Sequence, residues 1–262
     1  MESRRSTDAL ILTYHAVEED SSPLAVDPAL FRAHVERIAA SGRAVLTISE
    51  LAEQLRGHKL EPAVAITFDD GFASVFEQAL PVLREHGLTA TVFCVASRLG
   101  EWNDWPTDRE GTPRRRLADA AQLEQAHAEG FEIGAHGLNH VPLVTDDEET
   151  LWHELEGGRS ALEVVVGGPI RSFAYPYGVY SRTAHTLTAS IYAAACTTDL
   201  RMVGNDDTPR ALPRVDAHYV SDPALLSRAL GGSLDLYLRA RSLGARVRRR
   251  IRPDYRLTEA PR

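Results

Sequence analysis

The sequence predicts an α/β protein: a single domain built as an irregular (β/α) barrel of about seven strands. Short apolar runs alternate with helical patterns along the chain, which is the order of a parallel sheet covered by helices. Helix boundary signals fit the same pattern, because Gly87 and Gly130 stand where helices should stop and Pro28 follows the N-cap candidate Asp27. The chain has 262 residues, 44% of them hydrophobic, which is enough for one large core.

The predicted elements follow one another without internal repeats. The predicted strands are residues 9–13, 44–47, 64–67, 89–95, 131–134, 172–174, 193–196 and 214–215. The predicted helices are residues 28–41, 48–57, 72–86, 119–129, 146–166 and 181–190. Residues 100–116 break the alternation with two tryptophans, two prolines and three consecutive arginines, so they are predicted to form an irregular insertion. Trp105 in this insertion could stack on a sugar ring or pack the insertion onto the barrel.

Charge and composition narrow the classes of partner. The net charge is −8, although residues 239–262 hold nine arginines and only two acidic residues. An acidic body argues against nucleic acid as a partner. Residues 239–262 are interpreted as a basic C-terminal tail, either a solvated helix end or a weak contact for an acidic membrane surface or a protein partner. The chain has no transmembrane segment and no signal-type apolar run near residue 1, so a cytoplasmic location is expected.

Two adjacent carboxylates, Asp69 and Asp70, directly follow a predicted buried strand in the run Thr-Phe-Asp-Asp-Gly at residues 67–71. Neighbouring residues of a strand point to opposite sides, so the two acids can have different roles. His136 and His140 follow a later strand, in His-Gly-Leu-Asn-His. One Asp with two His suits zinc with one open coordination position; a polar network without metal is the alternative. In barrels, such residues meet at the C-terminal ends of the strands, where His15 is also predicted to lie.

Three motifs, in order, resemble the polysaccharide deacetylase family, the carbohydrate esterases with a NodB-like domain. They are the Thr-Phe-Asp-Asp-Gly run, the His-Gly-Leu-Asn-His run, and Arg-Ser-Phe-Ala-Tyr-Pro-Tyr-Gly at residues 171–178. The resemblance covers roughly residues 9–220. It divides the chain into a deacetylase domain at residues 1–238 and the basic tail at residues 239–262.

The resemblance implies a distorted (β/α) barrel that removes acetyl groups from N-acetylated sugars. It implies a divalent metal, for which zinc is our expectation, although cobalt, nickel, manganese or iron also accept such ligands. By position in the motifs, the metal ligands would be Asp70, His136 and His140. Asp69 would be the general base that activates water, and Arg171 would pair with it. The residues expected to line the substrate groove are Tyr175, Pro176 and Tyr177, together with Trp105 of the insertion.

The sequence departs from the family pattern at two points. Gly137 stands where the family usually has a hydroxyl residue. The family's later histidine motif has no clean match, so the general acid is either His15 or His218; we favour His15 because it follows a predicted strand. Two other functions remain open at this stage, namely hydrolysis of a small cyclic amide or ureide by the same fold, and glycan binding without hydrolysis.

Overall fold

A parallel β-sheet curls into a partial barrel at the centre of the protein. The computed structural model describes residues 8–105, 113–234, 237–238 and 241. The strands are β1 Leu10–Tyr14, β2 Ala16–Val17, β3 Ala25–Val26, β4 Ala44–Val45, β5 Ala63–Phe68, β6 Thr91–Cys94, β7 Glu132–Ala135, β8 Ser172–Ala174, β9 Ala194–Cys196 and β10 Val215–Asp216. The α-helices are α1 Pro28–Ala40, α2 Ile48–Arg56, α3 Leu80–Glu85, α4 Ala120–Ala128, α5 Glu148–Val166, α6 Arg182–Ile191 and α7 Pro223–Leu230.

Seven strands follow one another across the sheet in the order β10-β1-β5-β6-β7-β8-β9, all parallel. The short β4 pairs with the first residues of β5, while β6 pairs with its last two. A separate parallel pair, β2 with β3, follows the end of β1. Because the seven strands run in one direction, all their C-terminal ends lie on one rim.

The two outer strands of the sheet, β9 and β10, are linked by the segment between them. The Thr197 N–H donates to the Leu212 carbonyl at 2.8 Å, and the Arg214 N–H donates to the Asp199 carbonyl at 3.0 Å. The Arg214 side chain adds a bond from Nε to the Thr197 carbonyl at 3.0 Å. These bonds draw the two edges together and place Arg214 inside the rim.

Alternate residues of each strand pack into two different apolar clusters, as expected for strands covered on both faces. Leu10, Leu12 and Tyr14 of β1 belong to the larger cluster, which includes residues of most helices. Ile11 of the same strand belongs to a smaller cluster with Phe93 and residues of α2. The smaller cluster therefore fills the inside of the curled sheet.

The predicted fold class is confirmed, and the bounds of most predicted elements agree with the structure within two residues. The sequence analysis missed α7 and the β2–β3 pair. It predicted a single helix for residues 72–86, where the structure has a π-helical turn, Val75–Ala79, followed by α3. The basic tail lies outside the described residues except for Arg241. In the part of the chain that the structure describes, no helix is long and apolar enough to cross a membrane.

Candidate active site

The strand ends of the rim enclose one pocket of about 360 Å³. Its polar lining comes from separate stretches of the chain, because each strand delivers the residues that follow it to the same place. The titratable residues that line it are His15, Asp69, Asp70, His136, His140, Asp199, Arg214, Asp216, Tyr175, Tyr177 and Tyr219.

Asp70, His136 and His140 come together at the bottom of this pocket, and all three are buried. One ligand atom from each lies within 4.8 Å of the others. Asp70 Oδ1 lies 3.4 Å from His136 Nε2 and 3.2 Å from His140 Nε2. An Asp and two neutral imidazoles are a zinc ligand set that leaves a coordination position open. The predicted grouping of these three residues is confirmed as geometry.

Contacts at Nδ1, the ring nitrogen of each histidine that does not face Asp70, orient both imidazoles. His136 Nδ1 lies 2.7 Å from the Ala174 carbonyl, which can only accept, so Nδ1 carries a proton and Nε2 is the ring nitrogen that faces Asp70. His140 Nδ1 lies 3.0 Å from the Tyr177 hydroxyl. The ring of Trp105 packs on the ring of His140 with centroids 4.4 Å apart. Both histidines are thus held in place from outside the triad.

Burial and close charges shift the pKa values of the three triad residues in different directions. The nearby imidazoles hold the pKa of Asp70 well below its usual value, in spite of its burial. Burial opposes the charged form of both imidazoles; the carboxylates outweigh it at His136, whose pKa rises, but not at His140, whose pKa falls. The buried carboxylate of Asp70 therefore stays ionised beside the two imidazoles.

Asp69 pairs with Arg214. The guanidinium donates from Nη1 to Oδ1 at 2.6 Å and from Nη2 to Oδ2 at 2.7 Å, a bidentate arrangement. Burial would raise the pKa of Asp69, but Arg214 outweighs it, so this pKa is lowered from its usual value. The carboxylate therefore stays ionised at neutral pH beside the triad, as a general base requires.

The predicted pairing of Arg171 with Asp69 is wrong. Arg171 is exposed and directly precedes β8. A strand of three residues spans roughly 10 Å, so Arg171 lies at the N-terminal end of the sheet, away from the rim that carries Asp69. The residue that pairs with Asp69 is instead Arg214, to which the sequence analysis gave no role beyond a place in a predicted strand.

The structure separates the two candidates for the general acid. His15 lies just beyond β1 and lines the pocket with Asp69 and Asp70. His218 is exposed and lines only a smaller neighbouring cavity, where His15 is also found. Position in the pocket therefore favours His15, and its role stays a prediction.

Three of the four residues predicted to touch substrate line the pocket, and the fourth lies behind the lining. Trp105, Tyr175 and Tyr177 line the pocket, whereas Pro176 is buried and is not part of the lining. Tyr175 is 1% exposed and stacks on Tyr180, so most of its ring belongs to the core. Tyr177 is 37% exposed. Trp105 packs on His140, and it also lines the pocket, so stacking on a sugar ring stays a prediction.

Unusual backbone conformations gather at this site. Asp70, His140 and Tyr177 have φ of 69°, 56° and 60°, and His58 is the other non-glycine residue with positive φ in the described ranges. Such conformations cost about 1–3 kcal/mol each and persist where the surroundings enforce them. The flanking glycines Gly71 and Gly178 also have positive φ.

Comparison with known proteins agrees with this geometry. The family described as "Polysaccharide deacetylase" matches residues 56–194, just over half of the chain. The chain belongs to the polysaccharide deacetylase family. The match includes the triad and Asp69, whereas His15 and Arg214 lie outside it.

Curated relatives of this family member carry related names. YxkH of Bacillus subtilis (strain 168), named for polysaccharide deacetylation, is 25% identical over 228 residues, which cover 86% of this chain and 75% of the relative. The poly-beta-1,6-N-acetyl-D-glucosamine N-deacetylase of Staphylococcus aureus (strain MSSA476) is 22% identical over 200 residues, covering 67% and 66%.

Solved structures share the fold of this deacetylase family member. IcaB from Ammonifex degensii superposes with a TM-score of 0.72 at 24% identity, covering 85% of this chain and 97% of the other. The deacetylase PplD from Streptococcus pyogenes, solved with acetate, gives a TM-score of 0.70 at 22% identity, covering 80% and 92%.

Proposed function

We propose that this protein is a metal-dependent N-deacetylase acting on N-acetylated glycans. The observation that carries the proposal is the pocket in which Asp70, His136 and His140 converge next to Asp69, which Arg214 keeps ionised. Family membership supports the deacetylase reaction. The metal and the sugar are the proposed parts.

The three ligand residues fit a divalent ion, and zinc is the proposed one. Asp70 would supply a carboxylate oxygen, and His136 and His140 would each supply Nε2. Bound there, the ion would supply Lewis acidity, which lowers the pKa of a water molecule to ~7 and polarises the acetyl carbonyl.

The remaining residues account for the proton transfers. Asp69 would accept a proton from the water that attacks the acetyl carbon. As the C–N bond breaks, the sugar nitrogen needs a proton, and His15 is the proposed donor because it lines the same pocket. Tyr175 and Tyr177 would lie beside the acetyl group. The products are acetate and a sugar with a free amine.

The charge of the pocket favours neutral or cationic sugars. Asp199 and Asp216 add to Asp69 and Asp70, and Arg214 is the only Lys or Arg in the described lining, already paired with Asp69. With Asp69 paired to Arg214 and Asp70 assigned to the proposed metal, an anionic sugar would still face Asp199 and Asp216, which form no salt bridge among the described residues. Such a like-charge contact costs binding energy. A neutral poly-N-acetylglucosamine chain, the polymer named for the S. aureus relative, fits this charge.

Acetate release from a panel of sugars tests the proposal. We expect activity on oligomers of β-1,6-linked N-acetylglucosamine, loss after chelation and recovery with Zn²⁺. Asp69→Asn should lower kcat by about 10²–10⁴-fold. The comparators are an N-acetylated oligosaccharide that contains uronic acid and a small cyclic ureide. Full activity after exhaustive chelation contradicts the metal, and ureide hydrolysis without acetate release contradicts the reaction. The cytoplasmic location stays a prediction, which cell fractionation would test.

A further inference from the structure

The segment that carries both metal-binding histidines, residues 136–140, has no side chain of its own at its second position. Gly137 has φ of 81°, a conformation that glycine adopts freely, and His140 has φ of 56°, so one residue of this short loop, His140, is held in a strained conformation. A Cβ at Gly137 would lie 3.6 Å from Glu154 Oε2 and 3.7 Å from the His140 nitrogen. The space that a hydroxyl side chain at 137 would enter is therefore already bordered by a carboxylate from α5.

Glu154 holds this loop by three hydrogen bonds. Its Oε2 accepts from the Asn139 N–H at 3.0 Å, and its Oε1 accepts from Asn139 Nδ2 at 2.6 Å. Its backbone carbonyl accepts from the Leu138 N–H at 3.1 Å. The two bonds to the carboxylate are charge-assisted and therefore stronger than neutral hydrogen bonds. Both act on Asn139, the residue directly before His140.

Two glycines let α5 come close enough for these bonds. A Cβ at Gly158 would lie 2.9 Å from the Gly137 carbonyl carbon, and one at Gly157 would lie 3.3 Å from Leu138 Cδ2. Gly in a helix interior costs about 1 kcal/mol relative to Ala. The close approach of helix and loop requires a glycine at least at Gly158.

The carboxylate of Glu154 is buried, and no ion pair among the described residues compensates its charge. The residue is 5% exposed, and no Lys, Arg or His among the described residues forms a salt bridge with it. A buried carboxylate is costly unless hydrogen bonds compensate it. Its side-chain bonds all go to Asn139, so the compensation and the support of the loop are the same contacts.

We propose that Glu154 is a positioning residue for the metal site, which holds His140 in its ligand geometry through Asn139. It takes the place of the side-chain support that Gly137 cannot give. The inference rests on the proposed metal dependence, but it concerns metal affinity and loop rigidity rather than turnover.

Zn²⁺ affinity of the full-length chain, measured by competition with a chelator, tests the inference. Glu154→Met keeps the volume and removes both acceptors, so we expect the Kd for Zn²⁺ to rise about 10–100-fold. Glu154→Gln keeps an acceptor for the Asn139 N–H, and its amide can pair with a flipped Asn139 side chain, so most of the affinity should return. The matched control is Glu156→Met, which removes the contacts of Glu156 with Arg159 and Ser160 on the same helix and should leave the Kd unchanged.

Two further measurements cover the other outcomes. If Glu154→Met does not fold, Asn139→Ala removes only the side-chain bond and should still weaken Zn²⁺ binding. If the wild-type protein binds no divalent ion, the metal proposal fails. Hydrogen exchange in the metal-free protein then tests only whether Glu154 supports the loop. The Leu138 and Asn139 amides should exchange faster in Glu154→Met than in Glu156→Met. Unchanged Zn²⁺ affinity in Glu154→Met, or equal exchange in both variants, would overturn the inference.

Discussion

Replacing Arg214 by methionine removes the partner of a buried carboxylate while keeping an apolar stem of similar length. The side chains of Arg214 and Asp69 are 2% and 6% exposed, so solvent screens the pair little and the values for surface salt bridges do not apply. Breaking a buried pair by removing one partner costs about 3–5 kcal/mol. For a domain of this size, the expected fall in Tm is roughly 6–20 °C.

The pH dependence of this loss has a definite sign. Burial raises the pKa of Asp69 and Arg214 outweighs it, so the folded pKa lies below the usual 3.8. Such a group contributes stability above its unfolded pKa, and the contribution disappears as the pH falls through the folded pKa. Without Arg214, burial raises the pKa of Asp69 in the variant, so the stability difference between wild type and Arg214→Met should be full above that raised pKa and shrink as the pH falls from there through the lowered pKa of the wild type. In the variant, the acidic limb of the pH profile of acetate release should move to higher pH, because Asp69 protonates more readily without Arg214.

Thermal unfolding of the metal-free proteins and pH profiles of acetate release measure both effects. The matched control is Arg171→Met, which changes an exposed arginine and should alter the free energy of unfolding by no more than about 0.5 kcal/mol. A second check is Asp69→Asn combined with Arg214→Met, which removes both charges and should recover stability relative to Arg214→Met alone. The reasoning is refuted if Arg171→Met abolishes activity while Arg214→Met keeps it.

Two other predictions concern the proton donor and the loop after β8. His15→Ala should lower kcat for acetate release by about 10²-fold or more. His218→Ala should keep kcat within about twofold of the wild type, because His218 is exposed and outside the main pocket. The reverse order would assign the general acid to His218. Gly178→Ala should destabilise the protein by about 2–4 kcal/mol in urea unfolding, since φ is 69° and the new Cβ would lie 2.0 Å from Thr198 Oγ1. Gly167→Ala, with φ of 65° and open space around it, isolates the cost of backbone strain, and an equal loss in both variants would contradict the clash.

The sequence was sufficient to predict most of the elements and the grouping of the triad, because both depend on local patterns. Asp70 and His136 each follow an apolar strand, and a parallel sheet must bring such strand ends to one rim. His140 follows from its motif spacing. The confirmed grouping of these residues therefore needed no knowledge of how the sheet curves.

Arg214 could not be identified in the same way, because its contact depends on how the two edges of the sheet meet. The relevant signal was an arginine and an acid, Arg214 and Asp216, on the same side of a short strand, where two-residue periodicity directs both toward the pocket. Arg171 belonged to a matching motif, but it lies before its strand rather than after it. Glu154 was equally hidden, since a glutamate within a helix is ordinarily a solvated residue.

The order of these residues along the chain has a consequence for synthesis. The ligands of the candidate metal centre all precede the arginine that keeps the base ionised, and that arginine directly precedes β10, the last strand of the sheet along the chain. A nascent chain can thus gather its three ligands while Asp69 still lacks its counter-ion. The pairing of β10 with β1 and the pairing of Arg214 with Asp69 therefore depend on the same late segment of the chain.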